Sequence, residues 1–385
     1  MKKSTILFLF LLWGCASYKT DLPTVPCATE YRSDNYSRAA DLKKTIDEMI
    51  ANEVPGAAIA VHSEEGWWHY AAGLAKIEDQ TRMQSCHLHY LQSIAKLYTA
   101  VITMKLQEEG KLEVENPITK YMPDLEAYIE RADEITIKML LNHTSGIPEY
   151  ITNPNYLTQL WQKPQKDWNP RQYLPFLKGK PLLFEPGSRY LYINTNYEIL
   201  AMILDEVTGD HAEYMDQVIF EPLGITSTFY RSHDNYLKYE QLYNGYWDRY
   251  SNAVIENTST MQRQNVSDMI GDDGIVSTPH DAVVFLKGLF DGKIISDESL
   301  EEMQEWVKNS TGENTYGLGF DLADFQGNKG MGHSGGGLGA GCQLYYFPEK
   351  KVFVFMGINL STITYSPIHD DIKPLLNKIY DQLLN

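Results

Sequence analysis

Two hairpin patterns, one near each end of the chain, constrain the fold more than any other feature of the sequence. Pro55 to Gly73 reads PGAAIAVHSEEGWWHYAAG, two apolar runs around a polar turn, which is the sequence form of a β-hairpin. Near the other end GAGCQLYYFP leads into Glu349-Lys350-Lys351 as a turn and then VFVFMGIN, a second pair of strands. The sequence between them is helical and loop-rich. From Ser93 to Leu112 it sets Leu97, Val101, Met104 and Leu106 among the apolar positions of a helix, with Gly110 as a C-cap signal. NYEILAMILDEVTGD reads as a helix that stops at Gly209, and the last residues form an amphipathic helix with Ile372, Leu375, Leu376, Ile379 and Leu383 on one face. This order predicts an α/β (α+β) protein. A mostly antiparallel sheet, from residues about 40–92 and 309–385, is built from both chain ends and flanked by helices, with an all-helical lobe, about 93–308, inserted between.

The chain has 385 residues, 43% of them hydrophobic, enough for a large core in one domain or two lobes. A formal net charge of -18 excludes nucleic acid as a partner, because phosphate binding needs clustered Lys and Arg. Lys2 and Lys3, the apolar run Ile6 to Trp13 and then Gly14-Cys15-Ala16 read as an export signal, since the run is shorter than the roughly 20 residues of a membrane-spanning helix. Leu12-Trp13-Gly14-Cys15 resembles a bacterial lipobox, with Trp where a small residue is usual. It implies residues 1–15 as signal peptide, a lipid on Cys15 and a protein held to a membrane of the cell envelope. Cleavage after Ala16 is the alternative. Residues 16–39 then read as a polar tether. Cys27, Cys86 and Cys342 show no spacing that predicts a specific disulfide. His87-Leu88-His89 starts like a zinc site but lacks the further ligands such a site needs, so both histidines are read as structural and no metal is expected.

Two serines compete for a catalytic role. Gly332, Ser334 and Gly336 spell G-x-S-x-G, the nucleophile elbow, which requires a helix straight after the serine and an acid and a histidine downstream. Here a strand pair follows, the only later histidine is His369, and the only acid between is Glu349 in the turn. The elbow reading therefore fails. Ser93 and Lys96 form the only S-x-x-K, where strand-rich sequence gives way to a helix. Residues i and i+3 share a helix face, so the amine reaches the hydroxyl, and burial favours the neutral amine that can accept its proton. Tyr192-Ile193-Asn194 follows Phe184-Glu185-Pro186-Gly187 and supplies a proton carrier and an amide that can hold both lysine and substrate. Tyr250-Ser251-Asn252 also fits Y-x-N, without that lead, and reads as a surface turn.

Ser93-Ile94-Ala95-Lys96, Tyr192-Ile193-Asn194 and His333-Ser334-Gly335, in this order, resemble the serine β-lactamase and DD-peptidase superfamily, in particular its class C β-lactamase and Streptomyces-type DD-carboxypeptidase branch. ITIKMLLNHTSGIP, IFEPLGITST and GDDGIVSTPHD support the resemblance, which covers about residues 40–385. It implies a catalytic domain with its active site between sheet and helical lobe. Ser93 would be acylated, Lys96 would be its proton acceptor or electrostatic partner, and Tyr192 the general base and later acid. Asn194 would bind substrate and Lys96, and His333, Ser334 and Gly335 would line the substrate. The N–H groups of Ser93 and Gly336 would form the oxyanion hole, and no cofactor is implied. Two residues depart from the pattern: His333 stands in place of a lysine and Ile193 in place of a small residue. The function expected is hydrolysis of a small amide or ester, such as a D-amino-acid peptide, through an acyl-enzyme. The alternatives are a β-lactamase or carboxylesterase of the same fold, or a penicillin-binding sensor that does not turn over.

Overall fold

The computed structural model describes residues 20–385 apart from 29, 32, 164, 165, 167, 231–238 and 263–268. Chain ends do meet in one sheet. The first hairpin is β1 (Gly56–Ser63) and β2 (Gly66–Lys76), closed where Ser63 pairs with Gly66, whose φ of +95° suits glycine at a tight turn. Next come β3 (Thr81–Arg82), β4 (His89–Tyr90), β5 (Thr228–Tyr230), β6 (Tyr246–Trp247), β7 (Glu256–Asn257) and β8 (Ile275–Ser277). The C-terminal strands are β9 (Val307–Lys308), β10 (Asn314–Tyr316), β11 (Asp321–Phe325), β12 (Asn328–Gly337), β13 (Ala340–Phe347) and β14 (Val352–Ile358). The main sheet has nine strands in the order β3-β2-β1-β14-β13-β12-β11-β10-β9. Antiparallel pairing of β1 with β14, Ala57 opposite Ile358, joins the two ends of the sequence.

Strand β14 shows how this sheet is covered on both faces. Val352, Val354, Met356 and Ile358 face a core cluster with helix α1 (Ala39–Ala51) and the C-terminal helix Pro367–Leu384, whereas Phe353 and Phe355 face the larger cluster. That larger cluster contains α2 (Ala95–Glu108) and α5 (Asn194–Thr208). A strand buried on both sides reads as continuous apolar sequence, and VFVFMGI does. The two expected helix stops also hold, with Gly110 at φ +67° after α2 and Gly209 at φ +88° after α5. Between these lie α3 (Ile137–Leu141) and α4 (Pro154–Gln162).

Three expectations need correction. The inserted lobe is helix-rich rather than all-helical: it carries a three-stranded sheet, β4-β8-β5, and the pair β6-β7. Runs as short as TFY and IVS give no readable alternation. Moreover the helix Pro279–Phe290, inside the span assigned to that lobe, packs on β1 and β14 of the main sheet. The second correction concerns the tether. Its described part is fastened to the body: Leu22 N donates to Asn244 Oδ1 at 2.9 Å, Val25 N donates to the Glu240 carbonyl at 2.8 Å, and Leu22 and Tyr36 are buried. Average polarity hid these single anchoring residues. Third, Cys27 and Cys86 form a disulfide, with Cα atoms 6.1 Å apart, while Cys342 is free and buried. A bridge between such distant residues typically adds about 2–4 kcal/mol. His87 lies beside it, its Nδ1 accepting from Gln84 N at 2.9 Å, and His89 is buried edge-on against Tyr243 and Phe355. Residues 1–15, including Cys15, lie outside the described residues.

Candidate active site

Strand β4 ends in a tight 3-10 turn, Gln92–Ile94, that feeds directly into α2. Gln92 is held at φ +52°, a left-handed conformation that costs a non-glycine residue energy and persists only where its surroundings impose it. Gly335 of β12 supplies part of that constraint. A Cβ there would meet the Leu91 carbonyl, Gln92 Cβ and Cys342 Sγ, so only glycine lets the turn rest on the strand. Ser93 is thus fixed at the start of α2. One helical turn later Lys96, fully buried, donates from Nζ to Ser93 Oγ at 3.0 Å and to the main-chain carbonyl of Asp272 at 3.0 Å. Burial lowers the lysine pKa, and the carboxyls of Asp272, Asp273, Glu149 and Glu198 oppose it. A neutral amine bonded to a serine hydroxyl can accept its proton.

Tyr192 closes over this pair. The Lys96 Nζ lies 5.1 Å from the centre of its ring. Burial raises the phenol pKa well above its ordinary value despite the bond with Ser93, so at neutral pH Tyr192 is a phenol that can pass a proton on. Asn194 opens α5, its backbone N–H donating to Glu149 Oε2 at 2.7 Å. Among the described residues its side chain makes no bond to Lys96, whose second partner is the Asp272 carbonyl instead. His143 packs against Tyr192 with ring centres 4.4 Å apart.

Strand β12 forms the other wall, and its pleat separates the third motif. His333 faces the lysine side: its Nδ1 lies 2.6 Å from the Ser334 carbonyl, which can only accept, so Nδ1 carries the proton and Nε2 accepts from Tyr316 Oη at 2.9 Å. Desolvation, with the charge of Lys96 second, pushes its pKa down to about 3. It is a neutral imidazole, not a cation. Ser334 shares the opposite face with Gln343 and Tyr345, and lines a separate groove that runs along the C-terminal helix. Expected to line the substrate, Ser334 is found in the lining of that groove and not in that of the cavity that holds Ser93.

One cavity of about 400 Å³ brings together Ser93, Asn194 and Gly336, with Asp272 and Asp273 in its wall. Sequence reasoning missed those two acids, Glu149, Glu198, His143 and Tyr316. The first two lie in GDDGIVSTPHD and His143 in NHTSGIP, so the signal was a resemblance without an assigned role. Tyr250, the decoy, is 68% exposed.

A buried lysine bonded to a serine hydroxyl, where a two-faced sheet meets a helix-rich insert, is a geometry in which a serine hydrolase can work without a histidine base. Comparison with known proteins makes the assignment specific. The Beta-lactamase family profile matches residues 42–374, and the chain belongs to that family. Penicillin-binding protein 4* of Bacillus subtilis (strain 168) is 26% identical over 315 residues, 78% of this chain and 67% of that protein. A putative D-alanyl-D-alanine carboxypeptidase of Escherichia coli (strain K12) is 25% identical over 355 residues, 83% of this chain and 80% of its own. Among solved structures, D-amino acid amidase from Ochrobactrum anthropi SV3, complexed with L-phenylalanine amide, superposes with a TM-score of 0.79 at 24% identity, over 90% of this chain and 99% of the other.

Proposed function

We propose that this chain hydrolyses small amides or esters through an acyl-enzyme on Ser93, and that its preferred acyl donors carry no carboxylate at the reacting centre. The observation that carries the reading is the 3.0 Å bond between Lys96 Nζ and Ser93 Oγ, made by a fully buried amine. Ser93 gives its proton to Lys96 as Oγ attacks the carbonyl. The resulting oxyanion is held by the N–H groups of Ser93 and Gly336, each such donor worth about 3 kcal/mol in the transition state. The proton then passes by way of the Tyr192 hydroxyl to the leaving nitrogen or oxygen, and water enters by the reverse sequence to release the acid. Protonation of Lys96 at low pH removes the base, so the rate rises with pH through the lysine pKa.

The substrate preference follows from charge. Among the described residues, no Lys or Arg lines the cavity, and His333 is neutral. A β-lactam or a peptide ending in a free carboxylate therefore finds little attraction there, whereas an amino acid amide or a neutral ester is unhindered. The amidase neighbour, solved with an amino acid amide, supports the same class. Turnover of a penicillin, a neutral ester, an amino acid amide and a D-Ala-D-Ala peptide, by wild type and His333→Lys at pH 7–8, tests it. The lysine is expected to raise penicillin acylation. Efficient penicillin turnover by wild type, unimproved by the lysine, contradicts the reading.

The leader supports export and lipid anchoring through Cys15 at the cell envelope. Replacing Cys15 by Ala is then expected to move the protein from the membrane fraction to the soluble exported fraction. A wild-type protein that is soluble and begins at Ser17 rules this out.

A further inference from the structure

A neutral amine has two hydrogens and one lone pair, so Lys96 can act as a base on Ser93 only when something else holds its hydrogens away from the serine. In this site that partner is a main-chain carbonyl, which can only accept: Lys96 Nζ lies 3.0 Å from Ser93 Oγ and 3.0 Å from the carbonyl oxygen of Asp272. The loop that presents the carbonyl is gripped on both sides of Gly271. Its N–H donates to Tyr230 Oη at 2.8 Å, and its carbonyl accepts from Thr99 Oγ1 at 2.8 Å. Thr99 shares a face of α2 with Lys96, so the helix that carries the amine also fixes the loop that orients it. Gly271 has a φ of +77°, and a side chain there would run into the Tyr197 carbonyl and Ala201 of α5. Asp272 N then donates to the Ile270 carbonyl at 2.9 Å and closes a tight turn.

Tyr230, on β5, is itself held. Its Oη lies 2.7 Å from His211 Nε2, and His211 Nδ1 lies 2.5 Å from Asp205 Oδ1. An ionised carboxylate can only accept, so Nδ1 carries the ring proton and Nε2 accepts from the phenol, whose oxygen is left to accept from the Gly271 N–H. His211 and Tyr230 are both buried. A row of hydrogen bonds thus runs from Asp205 on α5 through His211, Tyr230 and Gly271 to the loop whose next carbonyl holds Lys96. Thr99, Tyr230, His211 and Asp205 are not among the described residues that line the cavity with Ser93, so they act on the reaction through the lysine and not by touching a substrate there.

We infer that Thr99 and Tyr230 are positioning residues of this reaction: together they clamp Gly271 so that the Asp272 carbonyl holds one hydrogen of the Lys96 amine and leaves its lone pair facing the Ser93 hydroxyl. This rests on the reading of Ser93 as nucleophile and Lys96 as its base. The clamp has a signature that simple support of the fold lacks. A carbonyl bonds an ammonium more strongly than an amine, so it works against the burial that lowers the lysine pKa. A loosened carbonyl therefore lets the pKa fall further, whereas a loosened fold that admits water lets it return upward towards the ordinary value. The other groups around Lys96 are the carboxyls of Asp272, Asp273, Glu149 and Glu198, the imidazoles of His143 and His333, and the phenols of Tyr192 and Tyr197. No substitution at Thr99 or Tyr230 removes any of them.

The test is single-turnover acylation by p-nitrophenyl acetate with enzyme in excess, from about pH 5 to about pH 10, with Ser93→Ala as background. Ser93 Oγ bonds the acetyl carbon, its proton passes to Lys96, and nitrophenolate leaves without needing a proton, so the rate reads the step at the lysine alone. Thr99→Val and Tyr230→Phe are each expected to lower the limiting rate about tenfold or more, while the half-saturating concentration stays within about twofold. In both variants the midpoint of the rise with pH moves about half a pH unit lower. Thr99→Ser, which keeps the hydroxyl, is expected to bring the rate back to within about threefold of wild type, and the midpoint with it. A rate within about threefold of wild type in either folded variant, or a fall in rate with the midpoint unchanged or raised, overturns the inference. An uncharged fluorophosphonate keeps the two readings apart: labelling of Ser93 together with either of those results sinks the clamp alone, and no labelling of Ser93 in wild type sinks the nucleophile with it. Should Tyr230→Phe fail to fold, the comparison of Thr99→Val with Thr99→Ser decides.

Discussion

Ser93 and Ser334 sit against the same strand and differ in nearly everything that makes a hydroxyl reactive. Ser93 rises from a strained turn resting on Gly335, at the start of a helix, with a buried amine 3.0 Å from its oxygen. Ser334 lies within β12, on the face it shares with Gln343 and Tyr345, beside a groove under the C-terminal helix. A one-residue step along a strand turns a side chain to the other face of the sheet. On the proposed reading, that step and the company it brings, rather than the G-x-S-x-G letters around Ser334, decide which hydroxyl reacts.

The sharpest way to widen the contrast is to remove the amine. Lys96→Met is expected to slow acylation by about 10⁴-fold, the upper end of what a positioned base contributes, measured by single-turnover release from a chromogenic ester. A loss below tenfold would mean another group takes the proton. Next, Tyr192→Phe is expected to cost about 10²-fold in kcat/KM while Tyr250→Phe leaves it within about twofold. Equal losses would break the distinction between the buried tyrosine and the exposed one. Gly335→Ala probes the contact between strand and turn: the added methyl meets the Leu91 carbonyl and Gln92, with an expected cost of about 1–3 kcal/mol in chemical denaturation and a displaced Ser93. Unchanged stability and labelling would show that the turn does not depend on that close approach. Smallest of all, Ser334→Ala is expected to change kcat/KM by less than about threefold, because Ser334 lines the groove along the C-terminal helix and not the cavity that holds Ser93.

The sequence made one half of this comparison plain and concealed part of the other. Ser93 and Lys96 were legible because i and i+3 share a helix face wherever the helix lies. The failure of the elbow at Ser334 was legible too, since no acid and histidine follow in usable positions. Which way Ser334 points was not, because that depends on the register of β12 with β13, Ser334 opposite Gln343. Asp272 remained unassigned for a similar reason: 176 residues separate it from the lysine it holds, and only the packed fold joins them. The sheet built from both ends followed from its two hairpins. The anchored N-terminal segment and the Cys27–Cys86 bridge depend on single side chains in polar surroundings, where pattern carries little information.

The most direct test of the central claim is peptide mapping of the protein after reaction with an uncharged fluorophosphonate, for wild type, Ser93→Ala and Ser334→Ala. The expected result is one adduct on the Ser93 peptide in wild type and in Ser334→Ala, and none in Ser93→Ala. An adduct on the peptide carrying Ser334, or labelling that survives in Ser93→Ala, would contradict the account.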